Sequence, residues 1–183
     1  MWITPQLLLE HKESVFLDSG INWRCVKIHP ALCPNVWNGN SELNDTLLSI
    51  VRELKVPLLI HTGETEGCNP RLFESIVKEN ADITFILAHG RPLNDTLDLM
   101  LKYPNVYADT AFMPVQSIRQ LVDCNLNDRV LWGTDFPIIR HYQEGVDLVP
   151  WYEGILAELI SVIGMVAFNR ITELNAKSLF SNA

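Results

Sequence analysis

Short apolar runs alternate with longer amphipathic stretches along the chain, the pattern of βα units feeding a parallel sheet. The runs are Cys25 to Ile28, Pro57 to Ile60, Ile83 to Ala88, Val106 to Ala108 and Val130 to Trp132. Each is too short for a helix and rich in branched side chains, so the sequence predicts five strands. Between them, Leu43 to Leu54 sets Leu43, Leu47, Ile50, Val51 and Leu54 on one helical face. Arg71 to Glu79, Leu93 to Lys102 and Val115 to Asp123 read as the other connecting helices. A loop over Phe136 to Val149 then leads to helices around Trp151 to Ile163 and Ala167 to Phe180. The pentapeptide LNDTL occurs at Leu43 and again at Leu93, with different flanks. It is expected to be repeated helix-cap chemistry, Asn or Asp accepting hydrogen bonds from free backbone N–H groups, and not an internal duplication.

Composition narrows the class. With 183 residues, 48% of them apolar and 20% charged, the chain is expected to form one globular domain over residues 1–183. Lys plus Arg number 14 against 22 for Asp plus Glu, a net charge of −8 that disfavours nucleic acid and anionic membranes as partners. The longest apolar runs, such as Val56 to Ile60 and Ile83 to Ala88, fall far short of the ~20 residues that span a bilayer, so no transmembrane helix is expected. The N-terminal stretch MWITPQLLLEHKESV has no basic n-region, so a cytoplasmic location is expected. Cys25, Cys33, Cys68 and Cys124 form no CxxC pair and are expected to be reduced thiols. The Asn-x-Thr triplets at Asn44 and Asn94 are read as local turn or cap sequences.

The candidate chemistry lies at the strand ends. VKIHP places His29 there, PLLIHTGE His61, ITFILAHGRP His89, VYADTA Asp109 and VLWGTDFP Asp135. In parallel α/β structures the βα loops and helix N-termini converge at the C-terminal strand ends, where ligands bind. Two imidazoles and a carboxylate on three different strands, His61, His89 and Asp135, are the donor types of a divalent metal site, with zinc the first choice. His29 precedes Pro30, which biases it to extended backbone, and either lines the site or packs structurally. Asp109 is either an acceptor that orients a ligand His or a helix N-cap. Lys27 shares strand parity with Cys25 and His29 and could face a barrel interior. Arg91, two residues after His89, is placed to hold a carboxylate by a bidentate pair. Glu64 and Cys68 read as loop residues; His11 and His141 receive no role.

These segments resemble the amidohydrolase superfamily, specifically the amidohydrolase-2 group that includes decarboxylases related to aminocarboxymuconate-semialdehyde decarboxylase. VKIHP resembles the group's fourth-strand segment, PLLIHTGE its fifth-strand His, ILAHGRP its sixth-strand His, VYADTA its seventh strand and LWGTDFP its eighth-strand Asp. LNAKSLF resembles the closing helix. The resemblance runs from about Arg24 to Phe180. It implies an α/β fold, a partial (β/α)8 TIM-type barrel with strands four to eight and their helices, lacking the first strands. It also implies His61 and His89 as metal ligands or substrate-polarising groups and Asp135 as ligand and general base, so that Asp135 and His89 are the catalytic pair. The group's first-strand His-x-His pair has no counterpart in this sequence, which makes the chain resemble the C-terminal portion of such a barrel.

The expected function is therefore a metal-dependent hydrolase working through metal-activated water. Its substrate would be a small molecule that can carry a carboxylate, held by Arg91, His29 and Lys27. A decarboxylase or lyase of the same group is the related alternative. The rival from another class is a non-catalytic partial-barrel module that self-associates through its open strand edges, and a homo-oligomer is expected in either case. A metal-independent lyase using the Lys27 amine is the third reading.

Overall fold

The computed structural model describes residues 1–33, 36–37 and 42–181. The chain opens with helices α1 (Pro5–Glu10) and α2 (Glu13–Leu17). Thr4 starts the first of them, its hydroxyl accepting from the Leu7 N–H at 3.3 Å with proline at the first helical position. Five strands joined by four helices follow: β1 (Val26–Ile28), α3 (Glu42–Leu54), β2 (Leu58–His61), α4 (Glu74–Glu79), β3 (Phe85–Ala88), α5 (Leu93–Lys102), β4 (Val106–Asp109), α6 (Val115–Asp123) and β5 (Val130–Leu131). The chain closes with α7 (Ile139–Tyr142), α8 (Leu148–Asn169), a π-helical turn over Arg170–Leu174, and α9 (Asn175–Phe180). All five predicted strands are present, each trimmed or shifted by one or two residues.

The strands form one parallel sheet in the order β1-β2-β3-β4-β5. Strands that neighbour each other in chain order, each joined through a helix, are the arrangement of a (β/α) barrel wall, whereas a doubly wound sheet reverses direction part-way.

Register divides the sheet into two faces. Val26, Leu58, Phe85 and Val106 lie side by side, as do Ile28, Ile60, Leu87, Ala108 and Val130. All nine are buried, packed in one cluster with Leu47, Ile50 and Val51 of α3, Val77 of α4, Leu99 and Met100 of α5, Ile118 and Leu121 of α6, and Leu159 of α8. The amphipathic faces read from the sequence therefore all cover this side. The opposite face carries Lys27, Leu59, Ile86 and Tyr107 in one row, with His61 beside Ala88 and Asp109 beside Leu131 nearer the C-terminal ends. Here Lys27, Leu59, His61, Tyr107 and Asp109 are only half-buried. The polar strand-end residues thus project from the less covered face, because alternation along a strand sends every second side chain there.

Segment Met1 to Ile3 runs along the edge of β1. Trp2 bridges Lys27 in parallel, the Lys27 N–H donating to Met1 O at 2.7 Å and the Ile3 N–H to Lys27 O at 2.8 Å. At the other edge, the Trp132 N–H donates to Ile171 O at 3.0 Å. Asn175, 5% exposed, donates through Nδ2 to Asn127 O and Val130 O, both at 2.7 Å, and so pins α9 to the start of β5. Asn175→Ala leaves both carbonyls without this donor, and its expected result is a loss of about 1–3 kcal/mol in denaturant unfolding.

Three sequence expectations changed. The second LNDTL caps nothing: α5 begins after Pro92 without a side-chain cap, and Asp95 instead accepts from Arg71 and from Asn69 Nδ2. In the first, Asn44 Nδ2 donates to Trp37 O. The loop over Phe136 to Val149 contains α7. The two closing helices are borne out, because Gly164 at φ +77, ψ 159 is outside helical geometry and breaks α8 between them, and the second runs on through the π-helical turn into α9. The stretch Leu148–Phe180 is also long and apolar enough, by length and composition alone, to cross a membrane. Charges at Glu153, Glu158, Arg170, Glu173 and Lys177 keep its uninterrupted apolar runs short.

Candidate functional site

Parity and the ends of β2 and β3 bring three imidazoles into a row. His61 is the last residue of β2, while His29 and His89 each stand one residue beyond their strands. The His29 and His61 rings stack, centroids 3.8 Å apart and planes at 14°, and His61 meets His89 edge-on at 4.7 Å. His89 is 3% exposed. Its Nδ1 lies 3.3 Å from Ala111 O, which can only accept, so Nδ1 carries the proton in that bond. That leaves His89 Nε2 with a lone pair, 3.0 Å from His61 Nδ1 as the donor. Burial, reinforced by His29, His89, Lys27 and Arg91, pushes the His61 pKa down to about 3, so this ring is neutral at ordinary pH. Burial, then Lys27, also lowers His29, whose buried Nδ1 has no hydrogen-bond partner among the described residues.

Asp109 sits under the row. Its Oδ1 accepts from the His89 N–H at 3.0 Å and the Ala111 N–H at 2.9 Å. One carboxylate oxygen therefore holds the backbone of His89 and of the residue whose carbonyl receives the His89 ring. Burial raises the Asp109 pKa, opposed by these two N–H groups. Of the two roles open in the sequence, the N-cap is not seen, since α6 begins only at Val115, and the carboxylate accepts from the His89 backbone and not from its ring. Gly133 makes this approach possible, since a Cβ there would lie 3.1 Å from Asp109 Oδ1.

The backbone turns at three successive strand ends are left-handed at non-glycine residues: His89 at φ +71, Phe112 at +60 and Asp135 at +52. Such conformations each cost about 1 kcal/mol or more and concentrate at functional sites. Asp135 lies four residues beyond β5, half-buried. Its charge acts on His29 and on Tyr152, but no hydrogen bond joins it to His61 or His89. Among the described residues no group of three His, Cys, Asp or Glu side chains is arranged to hold a metal ion. The structure thus pairs His61 with His89 and does not bring Asp135 into that pair.

Lys27 reaches His29 and His61 electrostatically from mid-strand. Arg91 Nη2 lies 3.9 Å from Glu64 Oε2, and its buried Nε has no partner among the described residues. Cys25, on the same face, has its thiol pushed up to about 11, chiefly by burial. Rings missed in the sequence extend the row at both ends. Trp2 lies 6.1 Å from His29, Phe112 5.7 Å from His89, and Tyr142 5.4 Å from Phe112. No periodicity marked them, because Trp2 and Tyr142 lie outside the strands and Phe112 points by its left-handed φ. A cavity of about 360 Å³ bounded by Val51, Arg52, Pro57, Asp82 and Thr84 opens at the opposite, N-terminal ends of β2 and β3, away from all these residues.

The chain belongs to the amidohydrolase family, whose model matches residues 22–161. No curated protein matches the sequence. Among solved structures, dihydroorotase from Campylobacter jejuni superposes with a TM-score of 0.62 at 16% identity, covering 99% of this chain and 63% of that one. The hydratase of 4-oxalomesaconate from Rhodopseudomonas palustris gives 0.62 at 16% identity, over 98% of this chain and 62% of that one. The decarboxylase of 5-carboxyvanillate from Novosphingobium aromaticivorans, complexed with manganese and 4-hydroxy-3-methoxy-5-nitrobenzoic acid, gives 0.62 at 12% identity, over 98% and 62%. At these identities the likeness is one of fold, and this chain spans less than two thirds of each.

Proposed function

We propose that this chain supplies strands four to eight of an amidohydrolase-type (β/α)8 barrel and the metal-binding and acid–base groups of a hydrolase for small carboxylated molecules. The observation that carries the reading is the His61–His89 pair. His89 gives its Nδ1 proton to Ala111 O and keeps Nε2 for a ligand, the arrangement common to metal-bound histidines. The 3.0 Å between His61 Nδ1 and His89 Nε2 is close to the roughly 3.3 Å that separates two nitrogens on a tetrahedral ion. Two nitrogen positions therefore fit, with zinc as the first choice and Asp135 as the carboxylate that completes the set. A bound divalent ion would supply acidified water and polarise a carbonyl.

The chain's own residues do the rest. Asp135 takes the proton of the attacking water and returns it to the leaving group. His89, buried and held by Asp109 and Ala111, keeps its orientation while the substrate changes charge. His29 Nδ1 and Arg91 Nε, both buried and unpartnered among the described residues, together with Lys27 are the donors for a substrate carboxylate. A decarboxylase of the same group would use the same carboxylate grip.

The test is metal titration of the purified chain by equilibrium dialysis with zinc and manganese, followed by a turnover screen of carboxylated lactones and amides. About one ion per chain with turnover is expected, and a chain that retains no metal overturns the reading. The half-exposed face that carries Lys27, Leu59 and Tyr107 supports a second reading, a non-catalytic module whose copies cover that face. Light scattering on the same sample separates the two, because a metal-free oligomer is expected only from the second.

A further inference from the structure

Thr62 follows His61 in the chain and is fully buried, although its side chain is polar. Both of its donors go to one acceptor. The Thr62 hydroxyl donates to Ala88 O at 2.6 Å, and the Thr62 backbone N–H donates to the same oxygen at 3.2 Å. The backbone bond carries the ladder between β2 and β3 one step beyond the pairing of His61 with Ala88. The hydroxyl bond is additional, and a valine would fill much the same space without it.

Ala88 O belongs to the peptide unit that leads into His89, and the other side of that unit is held as well. In a trans peptide the C=O and the following N–H point to opposite sides, and the His89 N–H donates to Asp109 Oδ1 at 3.0 Å. Thr62 from β2 and Asp109 from β4 thus grip the Ala88–His89 peptide across β3. Rotating this peptide would break three hydrogen bonds at once. That rotation is the motion that would relieve His89 of its left-handed φ of +71 and turn its ring away. Thr110, 3% exposed, makes a comparable tie between β4 and β5, its N–H donating to Leu131 O at 3.0 Å and its hydroxyl accepting from the Gly133 N–H at 3.1 Å. Side chains therefore close all three strand pairs from β2 to β5 at their C-terminal ends.

We propose that Thr62 is a positioning residue for the imidazole pair: its hydroxyl, opposed by the Asp109 carboxylate, locks the Ala88–His89 peptide and so keeps His89 Nε2 within 3.0 Å of His61 Nδ1. The proposal rests on that pair being the metal-holding half of the site. Thr62 itself touches neither imidazole nitrogen and acts through the backbone of its neighbours.

The test compares the full chain with Thr62→Val, Thr62→Ser and Asn175→Ala. Imidazole nitrogen shifts are read by NMR without metal, and zinc affinity by equilibrium dialysis. In folded Thr62→Val the shifts of His61 and His89 are expected to move toward mixed tautomers and zinc affinity to fall about tenfold or more. Thr62→Ser keeps the hydroxyl and is expected to restore both. Asn175→Ala loosens the opposite, N-terminal end of β5 and is expected to change neither, which separates positioning from general loss of stability. In the wild-type chain the Thr62 hydroxyl proton is expected to exchange slowly enough to be observed, a reading that stands even where Thr62→Val does not fold. Wild-type shifts in folded Thr62→Val, equal changes in Asn175→Ala, no rescue by serine, or a fast-exchanging hydroxyl proton would overturn the proposal. Shifts that respond to Thr62→Val in a chain that retains no zinc would remove the metal reading and leave the positioning role standing.

Discussion

Replacing both His61 and His89 by alanine is expected to take divalent-metal binding from about one ion per chain to none. The two rings present their nitrogens to one another at 3.0 Å, and the described residues hold no cluster of three potential ligands, here or elsewhere, that could take over. The single variants separate the contributions. His61 is half-buried, so His61→Ala removes a nitrogen with little strain on the fold. His89 is 3% exposed and bonded to Ala111 O, so His89→Ala also leaves a buried carbonyl unpaired and is expected to destabilise by about 1–3 kcal/mol. Circular dichroism of the double variant establishes that the chain is folded, and dialysis then reads the metal. Unchanged metal content in the folded double variant would mean that the pair is a structural hydrogen bond only.

The second large effect is expected from Asp109→Ala. A single carboxylate oxygen satisfies the His89 and Ala111 N–H groups, and these two residues define the left-handed turn after β3 and the carbonyl that fixes the His89 ring. Without the carboxylate both N–H groups lose their partner, for about 2 kcal/mol after allowance for the half-exposure of the side chain. The His89 ring loses its orientation, so metal affinity is expected to fall by about 10- to 100-fold, the range for partners that orient a ligand. Asp109→Asn keeps an acceptor oxygen and is expected to retain more of both quantities. Denaturant unfolding and metal titration of the two variants check this together. An Asp109→Ala chain with wild-type metal affinity would show that His89 is oriented by its packing alone.

Much of this was readable from the chain. Five short branched runs separated by amphipathic stretches marked the strands and the buried helix faces, because a parallel sheet under helices imposes a simple periodicity on sequence, while the order of the strands in the sheet was implied by the family resemblance. The alternation along the first strand also placed Lys27 on one face with Cys25 and His29, whereas the register between strands is what adds His61 and Asp109 to that face. Where His29 and His89 would stand relative to His61 was not readable, since contact across strands depends on register and on the direction of the turn after each strand. Of the left-handed turns at His89, Phe112 and Asp135, local preference argues most strongly against the one at Phe112, and it does not by itself demand the other two. The surrounding packing decides them instead.

The closing helices show the same division. The sequence separates helices around Trp151 to Ile163 and Ala167 to Phe180, and the backbone does break between them, at Gly164, but only the packing decides that Leu159 of the first and Ile171 of the second reach the core. By itself the sequence determined the α/β class, the strand order, the polar residue at each strand end and the resemblance to amidohydrolases, all carried by local periodicity and short motifs. Only the tertiary structure decided that His61 and His89 share a hydrogen bond, that Asp109 grips the His89 backbone, and that the Phe112 ring stands beside His89. Those are contacts between residues 20 or more positions apart or conformations against local preference, and packing is the force that selects them.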